Sequence, residues 1–208
     1  MRALGPRGLP VVARGDDYVM GQSLRHVDEF LGLEKLGQQA LPPAELVQRL
    51  DWVLAAAQRY LRQIPEAHLH DELPGRPRSF RTLGHHIFQV PQAFLDVAHG
   101  TPLTAEMLVI PPGDDLTSFD AVARHGQRVR DRLADWWQGA AGGDFAVEMP
   151  TYYGEQTLHE LLERTTWHAA QHARQLLFIL GRMSIEPDGP IGERELAGLP
   201  LPEGIWDG

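Results

Sequence analysis

Leu158-His159-Glu160-Leu161-Leu162-Glu163-Arg164-Thr165-Thr166-Trp167-His168-Ala169-Ala170-Gln171-His172 decides how this chain is read. Continued through Leu176 and Ile179, the series Leu158, Leu161, Thr165, His168, His172, Leu176 and Ile179 advances by alternating steps of three and four. That spacing lines side chains along one face of an α-helix. It predicts a helix over about 155–180, stopped by Gly181, with both histidines on the buried stripe. A buried imidazole needs partners for its nitrogens, and two of them in a hydrocarbon seam need several. A divalent metal ion answers that need for both.

Working backwards along the chain, three more stretches show helical periodicity. One covers about 43–63, with Leu46, Leu50, Val53, Ala57, Tyr60 and Ile64 on a stripe. A second starts at a Ser79 N-cap and carries Leu83, Ile87, Val90 and Phe94, with Pro91 a candidate kink. The third covers about 116–138, with Phe119, Val122, Gly126, Val129, Leu133 and Trp136. Four amphipathic helices of this length predict a mainly α fold, an antiparallel four-helix bundle. A proline-rich loop over 65–77 joins the first two, and an irregular tail from Ile185 to Gly208 is expected to wrap over the bundle.

The N-terminal part reads differently. Pro10-Val11-Val12-Ala13 and Tyr18-Val19-Met20 are strand candidates around the turn Arg14-Gly15-Asp16-Asp17, and Ser23 caps a short helix with Leu24, Val27, Phe30 and Leu31. This small N-terminal β-hairpin plus helix cannot form a core alone and must dock on something. The organisation expected is a segment 1–36, a Gly- and Pro-containing linker, and a bundle unit 40–208 with its tail.

Composition narrows the chemistry. The chain has 208 residues and no cysteine, so disulfides, thiolate metal sites and a cysteine nucleophile are excluded. A net charge of −9 argues against a nucleic-acid or anionic-membrane surface. The cluster Arg76, Arg78 and Arg81 reads as a solvated loop and helix start. No apolar run is long enough to span a bilayer, and Met1 to Pro10 lacks the apolar core of a secretory signal, so the expected compartment is the cytoplasm.

Two histidines rarely make a site alone, so a third ligand is expected from another helix. His85 aligns with Thr82 and Gln89 on a polar edge; His86 shares its face with Leu83 and Val90 and is the choice. His86, His168 and His172 would then hold one metal ion and leave coordination positions open, so bound water or thiol would lose its proton near neutral pH. Ala169 stands where a His-Glu-x-x-His protease has its glutamate, which argues against that chemistry. Glu160, Glu163 and Gln175, on the same helix, are candidates to hold the ligands from behind or to move protons. His26, His68, His70, His99, His125 and His159 read as surface residues. Trp136-Trp137 and Tyr152-Tyr153 read as packing at helix ends, with a pocket wall as the other reading.

Two stretches carry a resemblance. They are Ser79-Phe80-Arg81-Thr82-Leu83-Gly84-His85-His86-Ile87 and the run from Tyr152-Tyr153-Gly154-Glu155-Gln156-Thr157 to His168 and His172. Over roughly 40–182 the chain resembles the DinB/YfiT-like metal-binding four-helix bundles. The resemblance implies a divalent ion, commonly nickel or zinc, on His86, His168 and His172. It also implies chemistry of the S-transferase or isomerase type with a low-molecular-weight thiol, and a possible homodimer. The alternatives are a metal-dependent hydrolase using bound hydroxide and a non-catalytic bundle that binds a ligand or partner. Leu9-Pro10-Val11-Val12 and Tyr18-Val19-Met20-Gly21-Gln22-Ser23 resemble the second half of a glutaredoxin or thioredoxin-like fold. The Cys-x-x-Cys half is missing, so thiol–disulfide exchange is not expected.

Overall fold

The computed structural model describes residues 11–21, 24–33, 40–73 and 75–206. Leu9, Pro10, Gln22 and Ser23, on which part of the N-terminal reading rests, lie outside them. The chain is mainly helical, and its long helices are α2 (Pro43–Gln63), α3 (Phe80–Ala98), α4 (Phe119–Ala140) and α5 (Leu158–Arg182). Before them come the hairpin β1 (Val11–Arg14) and β2 (Asp17–Met20) and the short α1 (Leu24–Leu31). Gly15, at φ 66°, turns this hairpin, where a side chain would be strained.

Each long helix begins for a visible reason. Pro43 opens α2, where a missing N–H costs nothing. The Ser79 hydroxyl accepts from the Thr82 amide at the start of α3, and Ser118 does the same for Ala121 in α4. Thr157 and Glu160 form a reciprocal capping box on α5. Pro91 sits within α3, which continues through it. The fourth helix also outruns its expected stop. Gly181 is helical, α5 ends at Arg182, and Ser184 at φ 57° supplies the left-handed turn.

The four helices surround one core, with α2 and α3 each packed on both α4 and α5. Side-chain pairs give the directions. Arg62 meets Asp120, Gln58 meets Ala123 and Arg130 meets Asp51, so α2 and α4 run antiparallel. His86 meets His172 while Phe94 lies near Leu161, so α3 and α5 are antiparallel too. Across the other two faces the helices run the same way: Phe88 lies at Gly126 and Asp96 at Arg132. The long α3–α4 connection, residues 99–118, is what returns the chain to the starting end.

The loop expected over 65–77 contains a small hairpin instead, β3 (Glu72–Leu73) with β4 (Arg76–Ser79), leading directly into α3. A second small hairpin, β5 (Glu148–Met149) with β6 (Gln156–Thr157), leads into α5 in the same manner. β3, β5 and β6 have two residues each and β4 has four, too short for a period-2 pattern to be read from the sequence. The tail, with α6 (Glu193–Leu196), folds back over α2 and α5 as expected. Among the described residues no helix is long and apolar enough to cross a membrane.

Candidate metal centre

The α3–α5 seam brings His86, His168 and His172 together. His86 Nε2 lies 3.1 Å from His168 Nε2, and His172 Nε2 lies 3.0 Å from the same atom. One ligand nitrogen from each residue falls within 4.8 Å of the others. Those short separations are the distances expected of neighbouring donors bound about 2.1 Å from one cation. His86 is 9% exposed, and His168 and His172 are partly buried. The centre lies between α3 and α5.

Two glutamines aim the rings. Gln89 Oε1 lies 3.3 Å from His86 Nδ1, and its Nε2 donates to the carbonyls of Met107 and Ile110, each at 3.0 Å. Gln175 Oε1 lies 2.7 Å from His172 Nδ1, and its Nε2 donates to Ile205 O at 3.1 Å. Because each amide nitrogen is committed to carbonyls, each amide oxygen must face its histidine and accept the Nδ1 proton. Both Nε2 atoms are then bare lone pairs pointing at His168 Nε2. That atom can give a hydrogen to only one of them. Without a cation, at least one lone-pair contact stays uncompensated. The donor set fits a metal ion.

Electrostatics agree. Burial, followed by the charges of His172 and Arg78, takes His86 down to about 3. Burial, then His172 and Arg164, holds His168 well below the ordinary imidazole value. Neutral rings are the form that ligates.

The neighbouring His85 is not part of this group. It turns toward α4 and packs on His125, ring centroids 5.5 Å apart. His85 Nδ1 and His125 Nε2 are both buried without a hydrogen-bond partner. His125, expected at the surface, is thus half-buried because α4 approaches α3 closely through Gly126. Glu160 is taken up by the capping box at the start of α5. Glu163 is pushed up by burial, and its charged neighbours are His159 and Glu160 rather than the triad. Gln175 stands behind His172. Gln89 reads from the sequence as part of the polar edge with His85; the spacing His-x-x-Gln occurs at 86–89, 168–171 and 172–175, and at the first and last of these the amide meets its histidine, while Gln171 holds tail carbonyls.

Of the arginine cluster, Arg78 is exposed, as expected of a solvated loop, whereas Arg81 is held in place. Arg81 donates to Leu116 O at 2.6 Å and Gly113 O at 2.6 Å, fastening the α3–α4 connection. The charge of Arg78 acts on both His86 and His168. Of the aromatic pairs, Trp136 packs edge-on against Phe94, whereas Tyr153 is buried beneath the guanidinium of Arg164.

A family model described as DinB superfamily matches residues 49–176, more than half of the chain. The chain belongs to the DinB superfamily. The span matched to this superfamily takes in α3, α4 and all three histidines. It leaves out residues 1–48, so the glutaredoxin-like reading of the N-terminal segment gains nothing from it. Comparison with curated proteins gives no match.

Proposed function

We propose that this DinB-superfamily protein is a metal-dependent enzyme acting on a small-molecule thiol, with nickel or zinc on His86, His168 and His172. The observation that carries it is the convergence of three imidazole Nε2 atoms, two of them held deprotonated by Gln89 and Gln175. A divalent ion there would supply Lewis acidity and lower the pKa of a thiol or water bound to it. The three neutral rings leave the ion's charge undiminished. With no cysteine in the chain, reacting sulfur must come from the substrate. Of the carboxylates on α5, Glu160 is engaged in the capping box and Glu163 has His159 and Glu160 as its charged neighbours, so the protein's share is holding and orienting rather than nucleophilic attack.

The test is metal analysis of protein purified without a histidine tag, followed by thiol titration of the cobalt-loaded form. About one metal ion per chain is expected, lost in the His168→Ala, His172→Ala variant. A sulfur-to-cobalt charge-transfer band on adding thiol supports the thiol substrate. No metal in the parent protein sinks the reading, and metal without any thiol band turns it toward hydrolysis.

A further inference from the structure

The connection between α3 and α4 is irregular, yet α3 itself grips it at two places. Gln89 Nε2 donates to Met107 O and Ile110 O, each at 3.0 Å. Two turns earlier on α3, Arg81 donates from Nε to Leu116 O and from Nη2 to Gly113 O, both at 2.6 Å, and Nη2 lies 3.4 Å from Pro112 O. Arg81 and Gln89 stand about 12 Å apart along the helix axis. The nearest points they hold on the connection, Gly113 and Ile110, are separated only by Pro111 and Pro112. Each proline fixes its φ at about −65° and has no N–H to bond elsewhere, so the pair is a stiff spacer. A shift at Gly113 therefore reaches Ile110 with little loss. Apolar burial does not place this stretch: Leu108 and Leu116 are buried at its ends, but Val109 and Ile110 are 74% and 57% exposed. Hydrogen bonds to its backbone do, and the side chains that make them are those of Gln89 and Arg81.

We propose that Arg81 is a positioning residue for the metal ligand His86, acting through the α3–α4 connection and Gln89. By fixing Pro112, Gly113 and Leu116 it holds Ile110 O where Gln89 Nε2 points, and so keeps Gln89 Oε1 on His86 Nδ1. The inference rests on the metal reading of the histidines above. Arg81 does not act on the ring directly, because five residues of helix turn it roughly 140° away from His86. His172 shares none of this path. Its support comes from the tail, through Gln175 and Ile205 O. One molecule thus holds two ligands with separate supports, and the second serves as the control for the first.

The test replaces Arg81 by Met in the full-length chain and reads the imidazole tautomers of the metal-free protein by nitrogen NMR at mildly alkaline pH. In the parent, His86 and His172 should both carry the proton on Nδ1. In Arg81→Met the His86 signal should become a mixture of tautomers while that of His172 stays as it was. Zinc affinity, by competition with a chelator, should fall about three- to ten-fold, less than the 10–100-fold expected of Gln89→Leu, where the acceptor itself is gone. Arg81→Lys should recover part of the loss, since an ammonium can reach one carbonyl where the guanidinium fork spans several. Added to Gln89→Leu, Arg81→Met should lower affinity no further; added to Gln175→Leu, it should lower it by the same factor as alone. A second variant, Pro111→Gly with Pro112→Gly, keeps Arg81 and slackens the spacer, and should mix the His86 tautomers in the same way. Equal disturbance of His86 and His172 in Arg81→Met means general loosening and overturns the inference. An unchanged His86 tautomer in both variants, or full additivity with Gln89→Leu, overturns it as well. If the parent takes up no zinc or other divalent metal, the metal reading fails separately, while the tautomers still decide whether Arg81 holds the His86 ring.

Discussion

Gln89 and Gln175 decide the state of the histidines in front of them. An amide whose nitrogen is fixed by backbone carbonyls can offer its ring only an oxygen, which settles the tautomer of His86 and His172. Replacing Gln175 by Leu removes the acceptor and lets the His172 ring rotate or change tautomer. Metal affinity, read by competition with a chelator, should fall about 10–100-fold while the fold survives. An unchanged affinity would show that the glutamine only fastens the tail. His85 gives a separate prediction, because it is buried but does not face the triad. Burial, then His125 and Arg81, brings it down to about 4 from the ordinary 6.5, against a counteracting Asp115. The unfolded chain therefore takes up a proton that the folded chain refuses. Stability from the neutral ring is complete above the unfolded value of 6.5 and is lost as pH falls from there toward 4. Denaturant unfolding of the metal-free protein should show His85→Asn losing less stability than the parent between pH 7 and 5, by on the order of 1–2 kcal/mol. Parallel pH curves would rule His85 out as the titrating group.

At the scale of elements, the sequence made the helices legible because apolar residues had to recur at helical spacing and Ser79 had to cap its helix. The phase of α5 placed His168 and His172 inside, and the same reasoning on α3 separated His86 from His85. What phase could not show was the partner of each outward-facing edge. Gln89 shares an edge with His85 on a helical wheel, yet it reaches back one turn to His86, a side-chain conformation that periodicity does not encode. Nor could it show how close the helices come. Gly126 lies directly under the ring of Phe88, and a Cβ there would meet ring atoms at 2.4 Å. Phe88 is fully buried, so the ring has nowhere to retreat. Gly126→Ala should destabilise the bundle by roughly 1–3 kcal/mol despite the gain in helix propensity, measured as a shift in the denaturation midpoint. A stabilised variant would mean that α3 and α4 can separate without cost. The same approach brings His125 against His85, so the variant should also weaken that pairing.

At the scale of the whole molecule, the tail ties the far end of the chain to the metal centre. Arg59 donates to the carbonyls of Asp188 and Gly189, which anchors the tail on the last turn of α2. Farther on, Arg174 donates to Pro202 O and Glu203 O, and Gln171 to Gly204 O and Ile205 O. Ile205 O also accepts from Gln175, so one carbonyl near the chain's end fixes the amide that fixes His172. Trp206 closes the arrangement edge-on against Phe178, ring centroids 5.9 Å apart. The tail is thus part of the support for a ligand, and its composition alone, rich in proline and glycine, gave no hint of that. Removing the anchor should loosen both together. In Trp206→Ala, limited proteolysis should cut the tail faster, and metal affinity should fall in the same direction as in Gln175→Leu but by less, since Gln171 and Arg174 still hold the neighbouring carbonyls. Combining Trp206→Ala with Gln175→Leu should add little to the loss from Gln175→Leu alone, because both act on one ring. Faster proteolysis with unchanged affinity would separate the tail from the metal centre, and a fully additive double variant would place its effect elsewhere than His172.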